Sequence, residues 1–284
     1  MEKKAFGISL ICAGMVMYLA SAGTAMQVTQ NSNASELAAA LTEGNTGIQV
    51  ISAAISGDPL QSGTFTNLSQ VYSKKGIDHG LVLGSGKVED YSDGPNTSDS
   101  FSTDFGTSAT PAQTAMLTPI TGKEFHYDVV QLDITFKVDD GFDTLWFNMA
   151  FGSEEFPEYV NTPFNDGFGI YLNGDNIAFA GGLPVDIDHP WMSPLVGTEL
   201  DGTMNAQFQA TPYLSGDVNT LTFILADASD GIYDTTVYFS ALGASQPEIP
   251  DDSQEHPVVP EPSSAVVLLT MAAPSAASIL RRKR

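Results

Sequence analysis

Cysteine is almost absent from this chain of 284 residues, which contains only Cys12. Cys12 lies in an apolar N-terminal stretch, so the rest of the chain can form no disulfide bond. A lipid-modified cysteine needs a small residue just before it, and Ile11 is not small. Stability must therefore come from core packing or bound metal ions rather than from covalent cross-links.

Basic residues are also scarce, because 11 Lys and Arg stand against 34 Asp and Glu. Between residues 26 and 262 there are five lysines, no arginine and 33 acidic residues, which gives a net charge of −28. Such a surface repels nucleic acid. It keeps an exported protein soluble and attracts divalent cations. We therefore expect no nucleic-acid partner.

The first 25 residues have the layout of a secretory signal peptide. Lys3 and Lys4 form a positive head, an apolar run covers residues 5–20, and small residues fill 21–25. This layout predicts export through the Sec machinery. An uncleaved N-terminal membrane anchor is the alternative, but the apolar run is short for a full span.

The C-terminal part of the sequence reads as a linker followed by a membrane segment. Residues 245–259 are acidic and rich in proline, which predicts an extended linker. An apolar stretch over residues 264–280 precedes a basic end. Basic clusters stay on the cytoplasmic side of a membrane. The stretch is slightly short for a full span, so we expect a weak C-terminal membrane helix.

The motif and order of this end resemble the PEP-CTERM sorting signal of Gram-negative bacteria. That signal combines a Pro-Glu-Pro motif, a membrane helix and a basic terminus. The corresponding residues are Pro260, Glu261, Pro262, Arg281, Arg282, Lys283 and Arg284. The resemblance covers residues 260–284 and implies processing by an exosortase after transient anchoring in the inner membrane. A plain, uncut anchor is the alternative.

The central segment, residues 26–244, reads as one β domain with one short helix. "NASELAAALTEG" predicts a helix capped by Ser35, with Leu37 and Leu41 on one face and Gly44 as its stop. Strict alternation predicts strands in "VQLDITFKV" and "LWFNMAF". "TLTFILAD" and "TTVYFSALG" give two more, and "GFGIYLNGDNIAFAGG" predicts a hairpin turning at Asn173-Gly174. The pattern favours an antiparallel β-sandwich of jelly-roll type.

Two interstrand loops carry the candidate site. "FGSEEFPEYVNTPFNDGF" (residues 151–168) and "DASDGIYD" (residues 227–234) are rich in oxygen ligands, which suit Ca²⁺. If both loops lie at one end of the sandwich, seven side chains form the predicted metal site: Glu154, Glu155, Asn165, Asp166, Asp227, Asp230 and Asp234. The alternative is ordinary turn chemistry, in which Asp and Asn bond their own backbone.

Three other residues are weaker candidates. His189 in "DIDHPW" could join a transition-metal site, but a lone histidine in a polar loop is usually solvated. Trp146 and Trp191 could stack on sugars. For Trp146 the sequence favours a position in the core instead, and for Trp191 both interpretations stay open.

The stretches "FGSEEFPEYVNTPFNDGFGIYL", "ILADASDGIYDTTVYF" and "GLVLGSGKVEDYSDGPNTS" are similar to the choice-of-anchor L domain of bacterial surface proteins. The resemblance covers about residues 35 to 243. Members often have a tyrosine where this chain has Phe156. The resemblance implies a surface module and no reaction.

These observations predict an exported protein of the cell envelope or extracellular matrix. We expect a non-catalytic, calcium-stabilised adhesion module that binds exopolysaccharide or a surface protein. The alternative is a glycan-acting hydrolase, in which Glu154 pairs with Asp227 or Asp234.

Overall fold

The computed structural model describes residues 25–44, 47–68, 77–210 and 217–244, which form two antiparallel sheets. The first contains, in spatial order, β1 (Gln27–Gln30), β3 (Ser62–Thr66), β4 (His79–Gly84), β14 (Thr235–Ala244), β6 (Leu145–Ser153), β12 (Gly202–Ala210) and β11 (Ser193–Pro194). The second contains β2 (Ile48–Ser56), β5 (His126–Val138), β13 (Asn219–Ala228), β7 (Gly167–Leu172), β10 (Leu183–Asp186) and β9 (Phe179–Ala180), with β8 (Asp175–Asn176) paired to β7.

The strand order is that of a jelly roll. In the centre of the first sheet the order is β4-β14-β6-β12, and in the second it is β5-β13-β7-β10. Consecutive strands from β4 to β7, and from β12 to β14, therefore lie in opposite sheets. This is the double-sheet arrangement of a jelly roll, and the sandwich predicted from strand alternation is confirmed.

The alternating residues of the strands build the core between the sheets. Val130, Leu132, Ile134, Phe136 and Val138 of β5 are buried there, together with Leu145, Phe147, Met149 and Phe151 of β6. The intervening residues of β5 from Gln131 to Lys137 are partly exposed. The inward and outward faces of both strands are thus as the sequence predicts.

The turn of the predicted hairpin is also confirmed. Leu172 of β7 pairs with Asp175 of β8, so Asn173 and Gly174 are the two loop residues. Both have positive φ, 54° and 92°, which a two-residue type I′ turn requires and which Asn and Gly tolerate.

Among the residues that the structure describes, two α-helices accompany the sheets, whereas the sequence analysis predicts one for this domain. Helix α1 (Ala34–Thr42) is capped by Asn33, whose side chain accepts from the N–H groups of Ser35 and Glu36. The predicted cap at Ser35 is wrong by two residues, because the Asn33 oxygen reaches the free amides first. Helix α2 (Pro111–Thr121) was missed, since its apolar residues have no clear helical spacing.

Helix α2 nevertheless carries terminal signals in its sequence. Thr110 and Gln113 form a capping box, Pro111 occupies the first turn, and Gly122 ends the helix with φ 72°. Within the described ranges, neither helix is long and apolar enough to cross a membrane. The predicted signal peptide up to residue 24, the linker and the sorting tail lie outside the described residues.

Candidate functional site

The jelly-roll topology gathers four connecting segments at one end of the sandwich, here called the loop end. They are residues 85–125, 154–166, 187–201 and 229–234. Ser153, at the end of β6, pairs with Thr235, at the start of β14. Gly167, at the start of β7, pairs with Ala226 near the end of β13. The condition on which the predicted metal site depends, that both acidic loops lie at one end, is therefore met.

Every buried carboxylate of the described residues lies at or beside the loop end. They are Asp128, Glu154, Glu155, Asp166, Asp186, Asp227 and Asp234, each at most 7% exposed. None of them pairs with a lysine or histidine within the described ranges. Buried carboxylates usually have such a partner. The cluster is thus an accumulation of negative charge that protein cations do not neutralise.

Two of these carboxylates are fixed by hydrogen bonds. The Thr235 hydroxyl donates to Asp166 over 2.7 Å, and the Ala228 N–H donates to its other oxygen over 2.8 Å. Asp234 accepts from the Tyr91 hydroxyl at 2.8 Å and from the Thr103 N–H at 3.0 Å. The hydrogen bonds of these two side chains therefore connect different segments of the loop end.

Other oxygens of the cluster have no partner. Both carboxylate oxygens of Glu154 and of Asp227 are buried without a hydrogen bond, as is Oε2 of Glu155. The side-chain oxygen of Asn165 is also unpaired, while its amide group donates to the Thr121 carbonyl and to Asp186 at 3.3 Å. A buried acceptor without a donor is costly. Each of these atoms therefore needs a proton, a hydrogen-bond donor or a cation to offset the cost of its burial.

The electrostatics agree with this geometry. The pKa of Glu154 is raised to about 9, first by burial and then by repulsion from Asp201. The nearby Phe101 backbone lowers this pKa and offsets only part of the rise. Burial also raises the pKa of Asp227 well above its usual value, and the charges of Asp166 and Asp234 add to this. The nearby Ser85 hydroxyl lowers the pKa of Asp227 in part, although neither carboxylate oxygen of Asp227 has a hydrogen bond of normal geometry.

Adjacent residues Glu154 and Glu155 face different neighbours, although they lie in the turn that follows β6 and not on the strand itself. Glu154 is repelled by Asp201, Glu199 and Asp234. Burial raises the pKa of Glu155, and repulsion from Asp166, Asp230 and Asp188 raises it further. Half-buried Asp230 accepts from the Ile232 N–H at 3.3 Å, a turn contact.

The seven predicted side chains therefore share one end but do not surround one point. Among the described residues, no three His, Cys, Asp or Glu side chains are grouped as the ligands of one ion. Asp166 and Asp227 connect the two sides. The charge of Asp166 raises the pKa of Glu155, and the charges of Asp166 and Asp234 raise the pKa of Asp227.

Sequence reasoning missed several residues that organise the loop end. Asp128, with φ 47°, accepts from the N–H groups of Phe105 and Thr107 at 2.8 and 2.9 Å. Gly86 packs directly against the Asp234 carboxylate. A clue for Gly86 was the short "GSG" stretch after a strand, since such glycines often mark close backbone approach. Asp128 sits inside an apparent strand and gave no signal.

The weaker candidates have structural contacts. His189 is buried rather than solvated: its Nε2 contacts the Ala180 carbonyl at 2.9 Å, and its Nδ1 accepts from the Trp191 N–H at 3.2 Å. Both ring nitrogens are thus engaged, which leaves none for a metal. The Trp191 ring packs edge-on against His189, 5.1 Å between centroids, at the margin of the core. Trp146 is partly exposed on β6.

The sequence profile of the choice-of-anchor L domain matches residues 25–189, more than half of the chain. The chain belongs to the choice-of-anchor L family. This membership indicates a surface-associated, exported module and favours a non-enzymatic role. None of the curated proteins matches the chain in sequence.

Similarities to solved structures are weak. TmCBM61 in complex with β-1,4-galactotriose has a TM-score of 0.27 at 6% identity, over 66% of this chain and 88% of that one. The Agl-KA catalytic domain has a TM-score of 0.22 at 15% identity, over 52% and 28%. The β-glucosidase from Kluyveromyces marxianus has a TM-score of 0.21 at 14% identity, over 39% and 11%. Values this low carry no functional argument.

Proposed function

We propose that this choice-of-anchor L protein is a non-catalytic adhesion module of the cell surface or extracellular matrix, whose loop end is braced by Ca²⁺. The observation that carries the calcium proposal is the set of buried, unpaired carboxylate oxygens of Glu154, Glu155 and Asp227. An uncompensated buried charge is strongly unfavourable. A divalent cation removes that cost and joins loops that are distant in sequence.

The donor set fits calcium better than other metals. Its oxygens come from carboxylates and from the amide of Asn165, and the described residues contain no cysteine. His126, beside the loop end, is the one imidazole there with an unpaired nitrogen, Nδ1. Calcium accepts six to eight oxygens in flexible geometry, including backbone carbonyls and water. Glu155, Asp166 and Asp227 would hold the ion.

The alternative, a glycan-acting hydrolase, has one supporting observation. A general acid needs a raised pKa, and Glu154 has one. However, Glu154 is 1% exposed and Asp227 is fully buried, so neither side chain meets solvent where a sugar would bind. The calcium-braced adhesion module therefore explains more of the site.

We also propose that the tail from Pro260 to Arg284 directs sorting by an exosortase after Sec-dependent export. The support is the sequence of the tail alone. If this is right, truncation after residue 259 releases the protein into the medium instead of the envelope. Full-length protein found unprocessed in the inner membrane would contradict the sorting role.

Thermal unfolding of the purified protein tests the calcium proposal. A ligand that binds only the native state adds about 2.7 kcal/mol at one hundred times its dissociation constant. Millimolar calcium after chelator treatment should raise Tm by several degrees, and Glu155→Gln and Asp227→Asn should abolish this rise. The matched control is Asp175→Asn on exposed strand β8, which should keep it. If calcium leaves the Tm of the folded wild-type protein unchanged, the calcium proposal is contradicted.

A further inference from the structure

Three aromatic rings form a partly exposed cluster on the outer side of the loop end. Tyr159 and Phe164 come from segment 154–166, and Tyr233 comes from segment 229–234. The rings of Tyr159 and Tyr233 are 5.0 Å apart between centroids and tilted by 45°, while Phe164 meets Tyr159 edge-on at 5.6 Å. Ile232 beside them is 47% exposed. We call Tyr159, Phe164 and Tyr233 the aromatic platform.

The platform is held in place before any ligand binds. The hydroxyl groups of Tyr159 and Tyr233 are hydrogen-bonded to each other over 3.3 Å. The Ser229 hydroxyl donates to the Pro163 carbonyl over 2.8 Å and joins the two loops. A third loop is tied in where the Asn161 N–H donates to Asp188. A rigid surface loses little entropy on binding.

Tyr233 has a backbone conformation that tyrosine rarely adopts. Its φ is 67°, in the left-handed region that favours glycine. Keeping a bulky residue there is energetically unfavourable. Tyr233 is only half-buried, so core packing offsets little of that cost. Such strain at a surface position points to a role in binding.

The rim of the platform is made of hydrogen-bond acceptors. Glu158 is exposed, Asp188 and Asp230 are half-buried, and exposed Asp99 is close enough to Tyr233 to raise its pKa. Carboxylates accept from hydroxyl groups, and aromatic faces cover apolar C–H groups. A pyranose ring presents both. The same negative rim repels uronates, sulfated sugars and nucleic acid.

We propose that the aromatic platform is the binding site for a neutral polysaccharide, with sugar rings on Tyr233 and Tyr159 and hydroxyl groups on the carboxylate rim. This inference rests on the proposed surface role and specifies its ligand. It does not require calcium, so the two proposals can fail separately.

Affinity gel electrophoresis of the purified protein tests the platform. The gels contain β-glucan, galactomannan, xyloglucan or dextran as neutral probes, and alginate as the acidic one. We expect at least one neutral polysaccharide to retard the wild type and alginate to leave it unretarded. Tyr233→Gly should weaken the retardation at least tenfold. Phe179→Ala, at a 48% exposed aromatic of β9 outside the platform, should leave it unchanged.

Tyr233→Gly separates binding from folding, because glycine relieves the positive φ. A purely structural tyrosine would lower Tm when removed, whereas a strained binding residue should leave Tm unchanged or higher while affinity falls. Equal retardation of Tyr233→Gly and wild type would overturn the proposal. So would retardation by alginate alone, or by none of the polysaccharides, and the last result would leave the platform to a protein partner. The calcium shift measured on the same samples reports separately on the metal site.

Discussion

A β-carbon on Gly86 would fall 1.5 Å from Oδ2 of Asp234, far inside van der Waals contact. The two residues come from β-strand ends that are nearly 150 positions apart in the chain. Asp234 cannot move away easily, because Tyr91 and Thr103 both donate to its carboxylate. The absence of a side chain at residue 86 is therefore a condition for this carboxylate's position.

Gly86→Ala should consequently destabilise the protein by about 2 kcal/mol or more, as overpacked buried sites do. It should also weaken any calcium effect, since Asp234 is displaced. Gly94→Ala is the matched control, because a β-carbon at that position would have the Ser92 carbonyl oxygen, 4.0 Å away, as its nearest neighbour. Urea unfolding of both variants measures the difference. Equal stability of the two would show that the loop end rearranges freely.

Asp128 supports the loop end in a different way. Its buried carboxylate accepts from the Phe105 and Thr107 N–H groups and from the Thr107 hydroxyl. Asp128→Ala leaves these donors unpaired and should cost about 3 kcal/mol. Asp143→Ala, at an exposed position, should be neutral. Hydrogen exchange should show faster exchange at Phe105 and Thr107 in the Asp128 variant only. Slow exchange there would mean that other contacts hold the segment.

Much of this fold is readable from the sequence, and the reason is physical. Strands β5 and β6 alternate in sequence because one face of each packs in the core, and Asn173-Gly174 locally specify the turn between β7 and β8. Helix α2 is less readable, since only its terminal residues carry the signal. The site depends on contacts between distant segments, and Asp128 or Asp201 cannot be assigned to it without the topology. Acidic residue types predict a cation, but not that Glu154 and Glu155 face different neighbours.

The charge of Glu154 offers a test with a neutral isostere. Both its oxygens are buried and unpaired, and Asp201, Glu199 and Asp234 repel its ionised form. In chelator at pH 7, Glu154→Gln removes the cost of protonating this carboxyl on folding and should raise Tm above the wild type. In calcium, the order should reverse, because the variant lacks a ligand. Circular dichroism melts under both conditions give the answer. A variant less stable than wild type in both would assign Glu154 a packing role only.

The stability of the protein should depend on pH in chelator and lose that dependence in calcium. In chelator, the unfolded chain ionises Glu154 near its ordinary pKa of 4.5, while the native pKa is about 9. A carboxyl pKa that is raised by folding stabilises the native state below 4.5, and this stability is lost as the pH rises towards 9. Each such group contributes about 1.4 kcal/mol per pH unit. Tm in chelator should therefore fall from pH 5 to pH 8.

With saturating calcium this fall should disappear, because the ion keeps the native carboxylates ionised, as they are in the unfolded chain above pH 5. The calcium-induced rise in Tm should be small at pH 5 and grow towards pH 8. Differential scanning calorimetry in matched buffers, with chelator or calcium, measures both trends. Glu155→Gln should flatten both trends, since burial and Asp166 raise the pKa of the Glu155 carboxyl as well. Parallel pH profiles in the two buffers would show that the buried carboxyls remain protonated and hold no ion.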